Sequence, residues 1–222
     1  AWNQNAENGG FFISANGSAK SLKTDIENVG NQALTNIVTT GEVLDAASVQ
    51  IWDTTSKVFA LTAGGDSMLT YPKTFQATAA GTHTYRSTIT MTGDMNPGNN
   101  AVDVEMVVVD TTQALIELDY TDASAAAGAL NWTGGGVNDG GGIHIIPPFY
   151  PVTIKSLDYF IANGTTGGFM GEIRDDNGAN NTPGTVLFSD TMQTASIGSY
   201  NNVPVTSKVV ITSGGFYVSW LM

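Results

Sequence analysis

The chain has 222 residues, enough for one large β domain or for two of about 100 residues, each able to bury a core of its own. Apolar residues make up 41% and charged residues only 13%, so Thr, Ser, Asn and Gly must cover most of the surface, and the even spread of apolar residues excludes a disordered chain. The net charge of -12 argues against nucleic-acid phosphates and anionic membranes as partners, and the absence of cysteine removes disulfides and thiolate metal sites.

Residues 1–10 are polar and rich in Asn and Gly, and Phe11, Phe12 and Ile13 follow as a short apolar run. That is the pattern of a loosely held terminus entering a first strand, or of an arm that pairs with another subunit. The opening residues, Ala1 to Gln4, lack the basic and apolar segments of a signal peptide, as expected of a mature or excised chain. No run reaches the roughly 18 apolar residues of a spanning helix, so no membrane insertion is expected.

From Ser21 the pattern has period two. Leu22, Thr24 and Ile26 point one way, and Lys23, Asp25 and Glu27 the other, as in a half-buried strand. Val43–Leu44, Ser48–Trp52 and Lys57–Leu61 are short strand candidates separated by Asp, Thr and Gly. Gly65 to Leu69 spells Gly-Asp-Ser-Met-Leu, close to the nucleophile block of the GDSL hydrolases. Those are α/β enzymes that also need an Asp-x-x-His element, absent here, so a polar turn is expected. The clearest strand is Tyr85–Thr92, and Ala101–Val109, rich in valine, reads as a buried closing strand.

Three elements over residues 15–110 carry a resemblance: Asn28-Val-Gly30, Ala80-Gly-Thr-His-Thr84 before a long strand, and Asp94-Met-Asn-Pro-Gly-Asn-Asn100 before a valine-rich one. In order and spacing they resemble the CARDB family of bacterial and archaeal extracellular Ig-like modules. The resemblance implies a non-catalytic surface module that serves adhesion or spacing, and it brings no ligand residues.

Asp110 to Gln113 is the expected joint. Beyond it a second β-sandwich is expected over 114–222, since no ten-residue segment has helical period. The small-residue run at 123–129 reads as loop, because Gly128 and the glycines that follow at 134–136 and 140–142 deny it helical length. Strand candidates are Val152–Ala162, Phe169–Arg174, Thr185–Met192, Val203–Ile211 and Phe216–Trp220. This half is similar to a jelly-roll-like module of secreted bacterial multidomain proteins. The likeness rests on Tyr150-Pro151 before a strand, the Asp175-Asp-Asn-Gly178 turn, Pro183-Gly-Thr185 opening the next strand, and Gly215-Phe-Tyr-Val218. The fold class expected is therefore all-β, two consecutive sandwiches, Ig-like and then jelly-roll-like.

A sandwich of that kind wants a strand after the aromatic one, where this sequence stops. The expectation is an open edge at Phe216, Tyr217, Val218 and Trp220 that Phe11, Phe12 and Ile13 of a neighbouring copy would complete by strand addition, giving a homopolymer. Glu172 to Leu187 is where acidic residues and turn formers converge, and Asp175, Asp176, Asn177, Asn180 and Asn181 offer five hard oxygen ligands within it. Calcium is the ion such a set would take; a hairpin loop using Asn and Gly for positive φ is the structural alternative. His83 and His144, the chain's two histidines, lack metal-ligand spacing. Trp132, Tyr150 and Trp220 would be the platforms if the chain bound a glycan, a role that makes it an accessory carbohydrate-binding module. The leading expectation is a secreted or cell-surface structural or adhesive protein with no catalytic residues and no required cofactor.

Overall fold

The computed structural model describes residues 11–118, 140–162 and 168–221. Residues 1–10 and the alanine and first glycine runs with Trp132 lie outside the described residues. The chain divides into two compact units, Ala1–Tyr120 and Thr121–Met222. Both are built of β-strands, and the only helical pieces among the described residues are three-residue 3-10 turns at Pro97–Asn99 and Ala179–Asn181.

Unit 1 holds seven described strands: β1 (Phe11–Ser14), β2 (Lys23–Glu27), β3 (Leu34–Leu44), β4 (Gln50–Leu61), β5 (Asp66–Thr70), β6 (Gly81–Thr90) and β7 (Ala101–Val109). Five form one sheet in the order β1-β7-β6-β3-β4, and β2 pairs with β5 in a second. The alternation read at Leu22–Glu27 is observed, with Leu22, Thr24 and Ile26 buried and Asp25 and Glu27 exposed. The apolar faces enclose Leu22, Val43, Trp52, Tyr71, Phe75, Tyr85 and Met106, making unit 1 a sandwich. Polar groups cross between the layers as well. Tyr85 donates to the Lys23 carbonyl at 3.0 Å, and Ser87 Oγ donates to Thr24 Oγ1 at 2.9 Å. Burial pushes the Tyr85 phenol well above its ordinary pKa. Gly41, in the middle of β3, lies under the Tyr71 ring, where a Cβ would come within 2.8 Å of a ring carbon.

Three expectations for this unit are corrected. The short candidates at 43–44, 48–52 and 57–61 belong to one long hairpin of β3 and β4, because the Thr, Ser and Gly between them pair in register (Thr39 with Ser56, Thr40 with Thr55, Gly41 with Thr54). Gly65–Leu69 is no turn: Asp66–Thr70 is a strand laid along β2. Ala101–Val109 does not close the sheet, since it lies between β6 and β1 and its opening half is solvent-facing, with Val102 54% exposed. The edge beyond it is β1, which runs parallel to β7 with Phe11 opposite Met106 and Ile13 opposite Val108.

Unit 2 has six described strands: β8 (Gly140–Ile145), β9 (Val152–Ile161), β10 (Met170–Asp175), β11 (Val186–Ser189), β12 (Ser199–Ile211) and β13 (Phe216–Leu221). Its sheets are β11-β10-β13-β8 and β12-β9, all antiparallel. Buried side chains from both, including Leu157, Tyr159, Val203, Ile173 and Phe216, lie in this half. Gly171 of β10 approaches the Tyr159 ring and Val203 closely enough that a Cβ would stand 3.1 Å and 3.3 Å from them, so the two sheets face each other. A jelly roll carries eight strands in two Greek keys; the described strands here number six, in sheets of four and two.

The second glycine cluster is the main surprise in this half. Gly140–Gly142, not among the strand candidates, is strand because it pairs with β13, and glycine is what the approach demands. A Cβ on Gly140 would fall 1.7 Å from the Trp220 carbonyl oxygen, and one on Gly141 would fall 2.6 Å from the Trp220 ring.

Candidate functional site

The loop from Asp175 to Thr185 joins β10 to β11, and its main chain closes as a hairpin. Asp175 N–H donates to the Thr185 carbonyl and Gly184 N–H to the Asp175 carbonyl, both at 2.8 Å. Asn177 braces the interior: its Oδ1 accepts from Thr185 N–H (2.9 Å), and its Nδ2 donates to Asp175 Oδ2 (3.2 Å) and Thr185 Oγ1 (3.1 Å). Asn180 and Asn181 take φ of 57° and 58°, the left-handed region that asparagine tolerates better than most residues. Gly184 leaves room for this brace, since a Cβ there would fall 1.9 Å from Asn177 Oδ1.

Asp176 turns the other way. Its Oδ2 accepts from the Gly215 amide at 2.7 Å and lies 3.3 Å from His144 Nε2. The His144 ring, on β8, stacks on Tyr217 of β13 with centroids 4.6 Å apart and planes at 20°. Tyr217 donates in turn to the Asn181 carbonyl at 2.8 Å. The loop is thus tied to β8 and β13 at two points, through a carboxylate and through a phenol. Tyr150 joins the same corner by donating to the Gly214 carbonyl; burial first, and the nearby Asp176 charge second, raise its pKa. Gly215 is required at the centre, since a Cβ would meet His144 Nε2 at 2.2 Å.

Of the five residues expected to hold calcium, Asp175 and Asn177 bond each other, while Asp176 faces Gly215 and His144. Among the described residues no three His, Cys, Asp or Glu side chains are grouped as metal ligands. Further along the sheet, Glu172 is buried and ion-pairs with Arg174, whose Nη1 also reaches the Gly184 carbonyl at 3.4 Å. His83 is buried in β6, with Nδ1 3.0 Å from the Gly81 carbonyl, and belongs to the core of unit 1.

The assembly residues are placed differently from the expectation. Phe216, Tyr217, Val218 and Trp220 lie in β13, which has β10 on one side and β8 on the other, so that strand has no open edge. One of its two neighbours, β8, lies in a glycine run that the strand candidates left out. Phe11, Phe12 and Ile13 are buried, at 7%, 3% and 5% exposure, in the sheet of their own unit. A donor-strand role would require them to leave it.

Two aromatic residues escaped the sequence reading. Phe160 of β9 and Tyr200 of β12 are register partners, 44% and 55% exposed, with ring centroids 5.3 Å apart and planes at 66°. In the next outward row Asn202 Nδ2 donates to Asp158 Oδ1 at 2.9 Å. The available signal was an aromatic residue in phase with Asp158 and out of phase with Leu157 and Tyr159. Among the residues named for sugar stacking, Trp220 is half-buried with its ring over Gly141, and Tyr150 is 40% exposed.

No family model and no curated protein matches this chain. A solved structure, the CARDB domain of a Pyrococcus furiosus protein in complex with di-metal ions, is similar at 15% identity and a TM-score of 0.36, over 45% of this chain and 81% of that one. No site residue is carried across from it.

Proposed function

We propose that this chain is a non-catalytic structural or adhesive module of a secreted or cell-surface protein. The observation that carries the reading is the commitment of its most chemical-looking side chains to structure. Asp176, Asn177 and Tyr217 each spend their polar atoms joining one strand end to another. A low charge density and a sequence rich in small hydroxyl and amide residues suit the extracellular setting. The CARDB-like elements at 28–30, 80–84 and 94–100 support the same reading. No helix among the described residues is long and apolar enough to cross a membrane. Antibody against the chain should label intact cells of the source organism, or recover the chain from the medium. Recovery only after lysis would contradict the proposal.

A second reading, recognition of a glycan, is favoured by the Phe160–Tyr200 pair beside Asp158 and Asn202. Exposed rings present a flat apolar face, and a neighbouring carboxamide and carboxylate supply donors and acceptors for hydroxyls. Tyr200→Ala is expected to weaken binding to any glycan captured on an array by on the order of tenfold. Binding that survives both Tyr200→Ala and Phe160→Ala removes this face from consideration.

A further inference from the structure

β4 is the last strand of its sheet, paired with β3 alone, and at 12 residues it is long for an unpaired edge. Such an edge offers a row of main-chain groups to any extended partner, and proteins usually guard it by shortness, charge or a covering segment. Along β4 exposure alternates strictly from Ile51 to Phe59. Ile51, Asp53, Thr55, Lys57 and Phe59 are exposed; Trp52 is buried and Thr54, Ser56 and Val58 are half-buried. Ile51 is 48% and Phe59 78% exposed, which leaves an apolar group at each end of the row.

The exposed row is close to a palindrome of chemistry about Thr55: apolar, acidic, hydroxyl, basic, apolar. We infer that β4 is a self-association edge, on which a second copy of this chain pairs its own β4 antiparallel about a two-fold axis at Thr55. That register places Ile51 opposite the partner's Phe59 and Asp53 opposite the partner's Lys57. Each contact occurs twice by symmetry, and Thr55 meets its own copy. Side chains keep to their faces only when the register moves in steps of two. A neighbouring register, centred on Thr54 or on Ser56, sets Asp53 against Thr55 or Phe59 and loses both ion pairs.

In the single chain neither charge has an opposite charge across from it on β3. Asp53 has Glu42 as its register neighbour on β3, a like charge, and Lys57 has Val38. Arg86, which lies opposite Glu42, is occupied by Asp103 at 2.7 Å. Among the described residues neither Asp53 nor Lys57 forms an ion pair. The second copy supplies each with its opposite. Lys73 guards the strand in the single chain, with Nζ 3.1 Å from the Asp53 carbonyl and 5.7 Å from the Trp52 ring centroid, and has to yield when the ladder forms.

Sedimentation velocity over a concentration series of the full chain tests the inference. The wild-type chain should show a monomer–dimer equilibrium. Asp53→Lys and Lys57→Asp, each placing like charges opposite one another twice, should each weaken it on the order of tenfold at low salt. The double variant Asp53→Lys/Lys57→Asp should restore it. Both side chains are exposed, and circular dichroism of every variant checks that unit 1 is folded. A wild-type chain that stays monomeric, a dimer indifferent to either single reversal, or a double variant that fails to recover would each overturn the inference.

Discussion

Trp52→Ala is expected to cost unit 1 about 3–5 kcal/mol, enough to threaten its folding. The indole is buried between the two sheets, edge-on to Tyr71 (centroids 6.3 Å, planes at 87°) and to Phe75 (6.1 Å, 72°). Truncation empties the space between those rings, removes two edge-to-face contacts, and strands the Thr74 carbonyl that Nε1 holds at 2.9 Å. Trp52→Phe keeps most of the apolar volume and should cost clearly less. Denaturant unfolding followed by circular dichroism measures both. A Trp52→Ala loss below about 1 kcal/mol, the size of an ordinary substitution, would mean that the sheets do not close over this residue.

The corresponding position in unit 2 is Ile173, for which replacement by alanine is expected to cost about 2–5 kcal/mol and replacement by valine about 0.5–1.5 kcal/mol. Ile173 is fully buried on β10, with Phe188 of β11 and Val218 of β13 as register neighbours. Strands on both sides hold the backbone, so the site has little freedom to collapse around the void. Amide exchange in β10 and β13 reads the loss directly. Alanine tolerated with no change in protection would argue that the four-stranded sheet is not the centre of this unit.

Much of the all-β character was legible from period-two segments such as Leu22–Glu27 and Tyr85–Thr90, because one face of each is apolar and the other is not. β3 and β4 were legible only in fragments. Thr39, Thr40, Thr54 and Thr55 look like separators until cross-strand pairing is known, since threonine serves a strand as readily as a turn. β8 was illegible for a different reason: glycines 140–142 are set by how closely β13 approaches, a contact with residues 219–221, far along the sequence, that no local pattern encodes. The misplaced open edge at Phe216–Trp220 follows from that omission. In the loop at 175–185 the turn chemistry of Asn, Gly and Pro was visible, whereas the partners of Asp176, namely Gly215 and His144, depend on strand order. The Phe160–Tyr200 face was missed because an exposed aromatic looks like a core residue until the two sheets are placed.

The acidic loop serves as a strand-joining latch. Its most direct test is the melting midpoint of unit 2 in EDTA and in calcium, for the wild-type chain and for Asp176→Ala. The variant leaves the Gly215 amide without its acceptor, a loss of roughly 1–3 kcal/mol, and should melt about 5–15 °C lower, with calcium moving neither protein. A wild-type midpoint that rises by several degrees in calcium, and an Asp176→Ala midpoint that does not, would contradict the latch and make the loop a metal site.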